Sequence, residues 1–151
     1  METLTLNEEE LLSEKLEKVV EEYYENPWNE VKRQALLQVL QNNNCRAGIA
    51  KCGDGDKISN AFIRSGFHNH CDILEAFLHH GMNIDIKNQH GWTSLMYASY
   101  HGQQEIVQLL LDHNASADLK DKYGKTALDF AKTEEIKKMI QNHVNTSYIL
   151  K

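Results

Sequence analysis

The residues of this chain that could do chemistry are its eight histidines and three cysteines. The densest group is His68-Asn69-His70-Cys71, followed by His79-His80. Imidazole and thiolate bind zinc, but a zinc site needs about four convergent ligands, ordinarily in C-x2-C and H-x3-H pairs. Neither spacing occurs here. His68 and His80 instead recur 33 positions on, as His101 and His113. A recurring position is one that architecture uses, so these histidines read as helix-end and loop residues. Cys45 and Cys52 lack the C-x-x-C redox spacing.

Gly53-Asp54-Gly55-Asp56 begins like a calcium loop but lacks the third acidic ligand and the terminal glutamate. It also lacks the glycine spacing and the lysine of a phosphate cradle, and reads as a turn. No nucleophile-elbow, kinase or HExxH pattern is present. The expectation is a protein that is not an enzyme and holds no metal or other cofactor. The competing reading is a metal-dependent enzyme built from the histidines and Cys71.

The bulk numbers suit one domain with a proper core: 151 residues, 41% hydrophobic, 25% charged, one proline. No run approaches the ~18 apolar residues of a membrane span. The N-terminus, METLTLNEEELLSEK, is acidic where a signal peptide is positive, and no apolar stretch follows. An odd number of cysteines argues against a disulfide framework. These features point to an intracellular, cytoplasmic protein, with the nucleus also open, whose Asn114 and Asn145 triplets stay unglycosylated. The net charge of −6 is uneven. Residues 1–30 carry ten Glu against Lys15 and Lys18, a balance of −8 that leaves +2 for the rest. That sign disfavours a phosphate-backbone binder, so neither nucleic acid nor membrane is expected as a direct partner.

What must position these residues is a repeat. Residues 58–87 align under 91–120 without a gap, with Phe62 under Leu95, His68 under His101, Ile73 under Ile106 and Asp85 under Asp118. Residues 121–143 continue the series, with Gly124 under Gly91, Thr126 under Thr93 and Ala131 under Ala98, then a short deletion before Glu135-Ile136. Each copy predicts two short antiparallel helices. The first starts at Asn60, Thr93 or Thr126, residue types that cap a helix. The second has apolar residues at i, i+3 and i+4: Ile73, Ala76, Phe77; Ile106, Leu109, Leu110; Ile136, Met139, Ile140. Gly81 and Asn114 supply left-handed stops. Neither helix is stable alone, but stacked neighbours can bury one another's apolar faces.

The segment resembles the ankyrin repeat. The likeness is carried by Gly91-Trp92-Thr93-Ser94-Leu95, Ala98-Ser99, Gly102, Glu105-Ile106-Val107 and Leu109-Leu110-Leu111. It covers a little over half the chain, in copies 58–87, 88–120 and a shortened 121–143. The resemblance implies an all-α ankyrin-repeat solenoid with short β-hairpin-like loops. It departs where the usual proline is Ala61, Ser94 or Ala127 and the usual following histidine is absent. Ile58 stands where Gly91 and Gly124 sit, which puts the first hairpin in doubt.

Residues 1–41 lie outside the period. Thr5-Leu6-Asn7-Glu8 has capping-box spacing, and Leu12, Leu16, Val19 and Tyr23 line one helix face to about Glu25. Asn26-Pro27 reads as the cap of a second helix containing Val31, Ala35, Leu36, Val39 and Leu40. The pair is expected to cap the stack; a divergent fourth copy, or a docking or dimerising pair serving a larger assembly, remains open. Residues 42–57 read as an exposed loop and 144–151 as a tail.

The family likeness further implies a protein or peptide partner held by hairpin tips and the exposed face of each first helix. Position by position, that surface is Phe67 and His68; Gln89, His90, Trp92, Tyr100 and His101, with Lys87 and Lys120 at the hairpin bases; and Lys122, Tyr123 and Lys125. The lysines favour an acidic partner. Trp92 either meets that partner or folds back over its own hairpin. No oligomeric state follows from these residues.

Overall fold

A computed structural model describes residues 6–42 and 45–150, and every regular element among them is helical. In chain order these are α1 (Leu6–Glu25), α2 (Glu30–Leu40), α3 (Arg46–Ala50), α4 (Lys57–Phe67), α5 (Cys71–His79), α6 (Ser94–His101), α7 (Gln104–Asp112), α8 (Ala127–Phe130) and α9 (Glu134–Ile149). They stack in two layers. One runs α1, α4, α6, α8 and the other α2, α5, α7, α9, each helix packing on the next in its layer.

The period explains the interior. Ile73, Ile106 and Ile136 are each 0% exposed, and so are Phe77, Leu110 and Ile140 one turn on. They sit in equivalent slots of one continuous core. The helices end where left-handed backbone is cheap, at Gly81, Gly102 and Asn114. Thr93 caps α6 by accepting a hydrogen bond from Met96 N at 3.3 Å. In the shortened copy α8 is only four residues long, and the Asp129 carboxylate accepts from Thr126 N at 2.8 Å. Lys132 N then donates to Ser99 O at 3.0 Å, tying the truncated turn to α6.

Between copies the chain makes tight turns held by an Asn or Asp at the same repeat position. Asn88 Oδ1 accepts from His90 N and Trp92 N, and Asp121 Oδ1 accepts from Tyr123 N and Lys125 N, all within 3.0 Å. Gly91 is required twice over: its φ is 78°, and a Cβ there would stand 3.1 Å from Lys122 N of the next turn. The first copy does have a leading turn, despite Ile58. Gly55 takes a φ of 81° and donates to Lys87 O at 3.0 Å, while Asp54 Oδ1 accepts from Lys87 N at 2.9 Å.

The structure corrects the boundaries in several places. Asn60 does not open α4, which begins at Lys57 three residues earlier; its Nδ2 donates to Gly55 O at 3.0 Å. The cap of α2 is Asn29, whose extended backbone lets Oδ1 accept from Val31 N and Lys32 N, and Asn26-Pro27 merely closes the preceding turn. The stretch 42–57 holds α3, with Cys45 and Ile49 buried. The supposed tail is helical, since α9 runs to Ile149. In α1 the buried residues are Leu16, Val20 and Tyr23, with Leu12 and Val19 only half-buried. The suggested capping box at Thr5 lies outside the described residues.

The pair α1–α2 occupies the place of one more repeat. It is fastened by polar contacts as well as apolar ones. Tyr23 Oη and His70 Nδ1 lie 2.7 Å apart, His80 Nε2 donates to Leu40 O, and Arg33 pairs with Asp72. A buried isoleucine shared between neighbours should be costly to remove. Ile106→Ala is expected to lower unfolding free energy by about 2–5 kcal/mol, while Val31→Ala, 78% exposed, should change it by less than about 0.5 kcal/mol. Urea unfolding of both variants measures the difference, and equal losses would contradict the shared core.

Candidate interaction surface

On the first-helix face, side chains at the edge of the core form a connected run of rings, of which Trp92, Tyr97 and Phe130 also pack against the core. Phe67 at the end of α4 lies 4.3 Å from the His101 ring and 6.3 Å from Tyr97. Tyr97 reaches Trp92 at 4.7 Å, and Trp92 reaches Phe130 at 4.4 Å. Tyr100 stands beside both, at 5.7 Å and 6.2 Å. The ladder therefore spans three copies, with the edge-on and tilted ring geometry that aromatic quadrupoles prefer.

The residues expected at this surface divide by burial. Tyr123 is 85% and Tyr100 53% exposed. Gln89, His90, Lys120, Lys122 and Lys125 are exposed, while Phe67, Lys87 and His101 are half-buried. Lys87 Nζ donates to Lys120 O at 3.0 Å, which joins two turns. Trp92 is half-buried, and its Nε1 donates to Asp121 Oδ2 at 3.1 Å. The indole thereby braces its own turn against the following one. His68 does not belong on the surface at all. It is 6% exposed, covered by Trp28 at 4.7 Å and by Phe67 at 4.5 Å, and neither ring nitrogen has a hydrogen-bond partner.

Several residues of this face escaped the sequence. Arg64 and Asn60 precede Phe67 by one and two helical turns, so helical spacing from Phe67 was the available signal. Tyr97 follows Thr93 by one turn and points along the same ladder. Tyr24 and Trp28 carried no signal, because they belong to the non-periodic pair. Arg64 lies 4.1 Å from the Tyr24 ring centroid and donates from Nη1 to Tyr24 O at 3.2 Å.

The charge of this face is set by lysine and arginine rather than histidine. Burial, with Arg64, His70 and His101 adding to it, pushes His68 down to about 4. Burial, then Arg33, lowers His70; burial, then Lys132, lowers His101. All three are neutral rings at neutral pH. Among the described residues, Arg33, Lys57 and Lys137 have carboxylate partners, whereas Arg64, Lys87, Lys120, Lys122 and Lys125 have none. Five cations without a carboxylate partner thus stand on and around the aromatic ladder, while others among the described residues, such as Lys32, Lys51 and Lys138, lie elsewhere.

Among the described residues no three His, Cys, Asp or Glu side chains gather as a metal-ligand set. Burial raises all three thiols, Cys52 to about 11, so none is a thiolate nucleophile at neutral pH. No described helix is long and apolar enough to cross a membrane.

A family model for ankyrin repeats in three copies matches residues 16–121 and 60–146. No curated protein matches the chain.

The buried His68 gives the stack a pH dependence. The unfolded chain takes up a proton near 6.5, but the folded chain refuses it until about 4, so stability is full above the first value and drains as pH falls toward the second. The urea midpoint should drop between pH 7 and pH 5, and His68→Leu should flatten that slope, leaving the smaller part due to His70 and His101. An unchanged slope in the variant would contradict this assignment.

Proposed function

The chain belongs to the ankyrin-repeat family, whose members generally serve as protein–protein interaction modules, and on that premise we propose that its first-helix face and turns hold a partner protein or peptide with acidic character. The protein acts by binding and performs no chemistry of its own. One observation carries this reading: the exposed rings of Tyr100 and Tyr123 lie on the same face as Lys122 and Lys125, and among the described residues no carboxylate is ion-paired with either lysine. A surface that concentrates tyrosine beside unpaired lysine suits a partner that supplies both the carboxylates and the apolar contact.

The contact residues proposed are Tyr100 and Tyr123 as anchors, with Lys122 and Lys125 beside them and Gln89 and His90 at the turn tip. Phe67 and His101 offer ring edges, and Lys87 and Lys120 border the turns. Trp92 supports the set from below through Asp121 and Phe130. Electrostatic steering by the lysines should make association faster at low salt.

The test is affinity capture by the intact protein and two double variants. Tyr100→Ala/Tyr123→Ala strips the anchors without touching the core. Gln108→Ala/Asp112→Ala removes a mutually bonded pair on the second-helix side. Proteins retained by the parent and by the second variant should fall by at least about tenfold with the first. Retention by the first variant together with loss from the second would overturn the assignment of the face.

A further inference from the structure

Between the end of α1 and the start of α6 the first-helix face sinks into a recess of about 310 Å³. Its walls are Tyr24 and Tyr97, its floor is Ile63 and Phe67, and Arg64, Asn60 and Asn88 complete the lining. We propose that this recess is the anchor subsite for a carboxylate side chain of the partner, an Asp or Glu next to a large apolar residue. The proposal rests on the partner-binding reading above and names what that partner must present.

Two donors face the recess with hydrogen-bonding capacity left over. Arg64 uses Nη1 for Tyr24 O and has its guanidinium held against the Tyr24 ring, so the group is fixed in place while its remaining N–H donors stay unclaimed. Among the described residues no carboxylate pairs with it. The second donor is the Tyr97 hydroxyl. Asn88 Oδ1 is taken by two backbone N–H groups of its turn, which fixes the amide so that Nδ2 donates to Tyr97 Oη at 3.0 Å. An oxygen that already accepts from Asn88 keeps its own hydrogen to donate. A guanidinium on one side and a phenol O–H on the other can serve the two oxygens of one carboxylate.

The lining also selects against other anions. It contains a single guanidinium and no lysine, which suits a monoanion better than a phosphate dianion. Ile63 and Phe67 give the floor an apolar character that rewards a neighbouring aliphatic or aromatic side chain. The turn geometry that orients Asn88 belongs to the repeat, whereas Tyr24 and Arg64 come from the seam with the N-terminal pair. The subsite therefore needs both parts of the chain.

Capped tripeptides provide the probe: acetyl-Glu-Phe-Glu-amide and its uncharged counterpart acetyl-Gln-Phe-Gln-amide, titrated into the isotope-labelled full chain and followed by amide resonances. The acidic peptide should move Arg64, Phe67 and Tyr97, and the glutamine peptide should bind at least about tenfold more weakly. Arg64→Gln should bring the acidic peptide down to the level of the uncharged one. Because the peptide pair is compared on the unmodified chain, the result does not depend on how well that variant folds. Equal binding of the two peptides overturns the proposal. Shifts confined to Tyr100, Tyr123 and Lys125 overturn the recess while leaving the first-helix face in place. Silence along the whole face counts against both.

Discussion

Every other feature of this protein depends on the sharing of apolar side chains between helices that are too short to fold singly. An eight- or nine-residue helix cannot meet the cost of its own nucleation in water, and α5, α6 and α7 are each of that length. What holds them is contact with the equivalent helix one copy away. Ile73, Ile106 and Ile136 are fully excluded from solvent because each is covered by residues from its neighbour as well as its own pair. Consequently the stack needs covered ends. At one end α1 and α2 provide a pair of the right shape outside the spacing; at the other, α9 runs on to Ile149 beside a first helix reduced to a single turn.

Committing the second helices to the interior frees part of the first-helix layer and the turns. Their shape comes from a small device used twice, an Asn or Asp whose carboxamide or carboxylate closes a turn around a left-handed glycine. At Asp121 the second carboxylate oxygen also holds the Trp92 indole, so one turn aligns the next. Rigid spacing between copies follows, and with it a face whose rings and cations stand at fixed separations. Preorganisation of that kind reduces the entropy a binding surface loses when a partner arrives.

Much of this was legible because period, caps and core share the same residues. The spacing that aligns Ile73 with Ile106 also aligns Gly91 with Gly124 and His68 with His101. The parts that were misread lie where local signals compete or where the deciding contact is distant. Asn26-Pro27 carries a familiar helix-start pattern, yet Asn29, two residues on, has the extended backbone that lets its side chain reach back. The five residues of α3 are too few to show a periodicity, and the asparagines before them suggested loop. The face was harder still. His68 is buried by Trp28, from a segment with no register relation to it, and Trp92 is claimed by an acid in the next turn. Arg64 and Tyr24 meet only when the N-terminal pair docks. Position within a repeat tells which way a backbone faces; it does not tell which neighbour will cover the side chain.

Native-state hydrogen exchange of the second-helix amides tests the shared interior most directly. If α5, α7 and α9 are one cooperative body, the amides of Phe77, Leu110 and Ile140, each far enough into its helix to bond the carbonyl one turn back, should all open with the same free energy, equal to that of global unfolding. Three separate values, with any one of these amides exchanging through a local opening far below the global cost, would contradict the account.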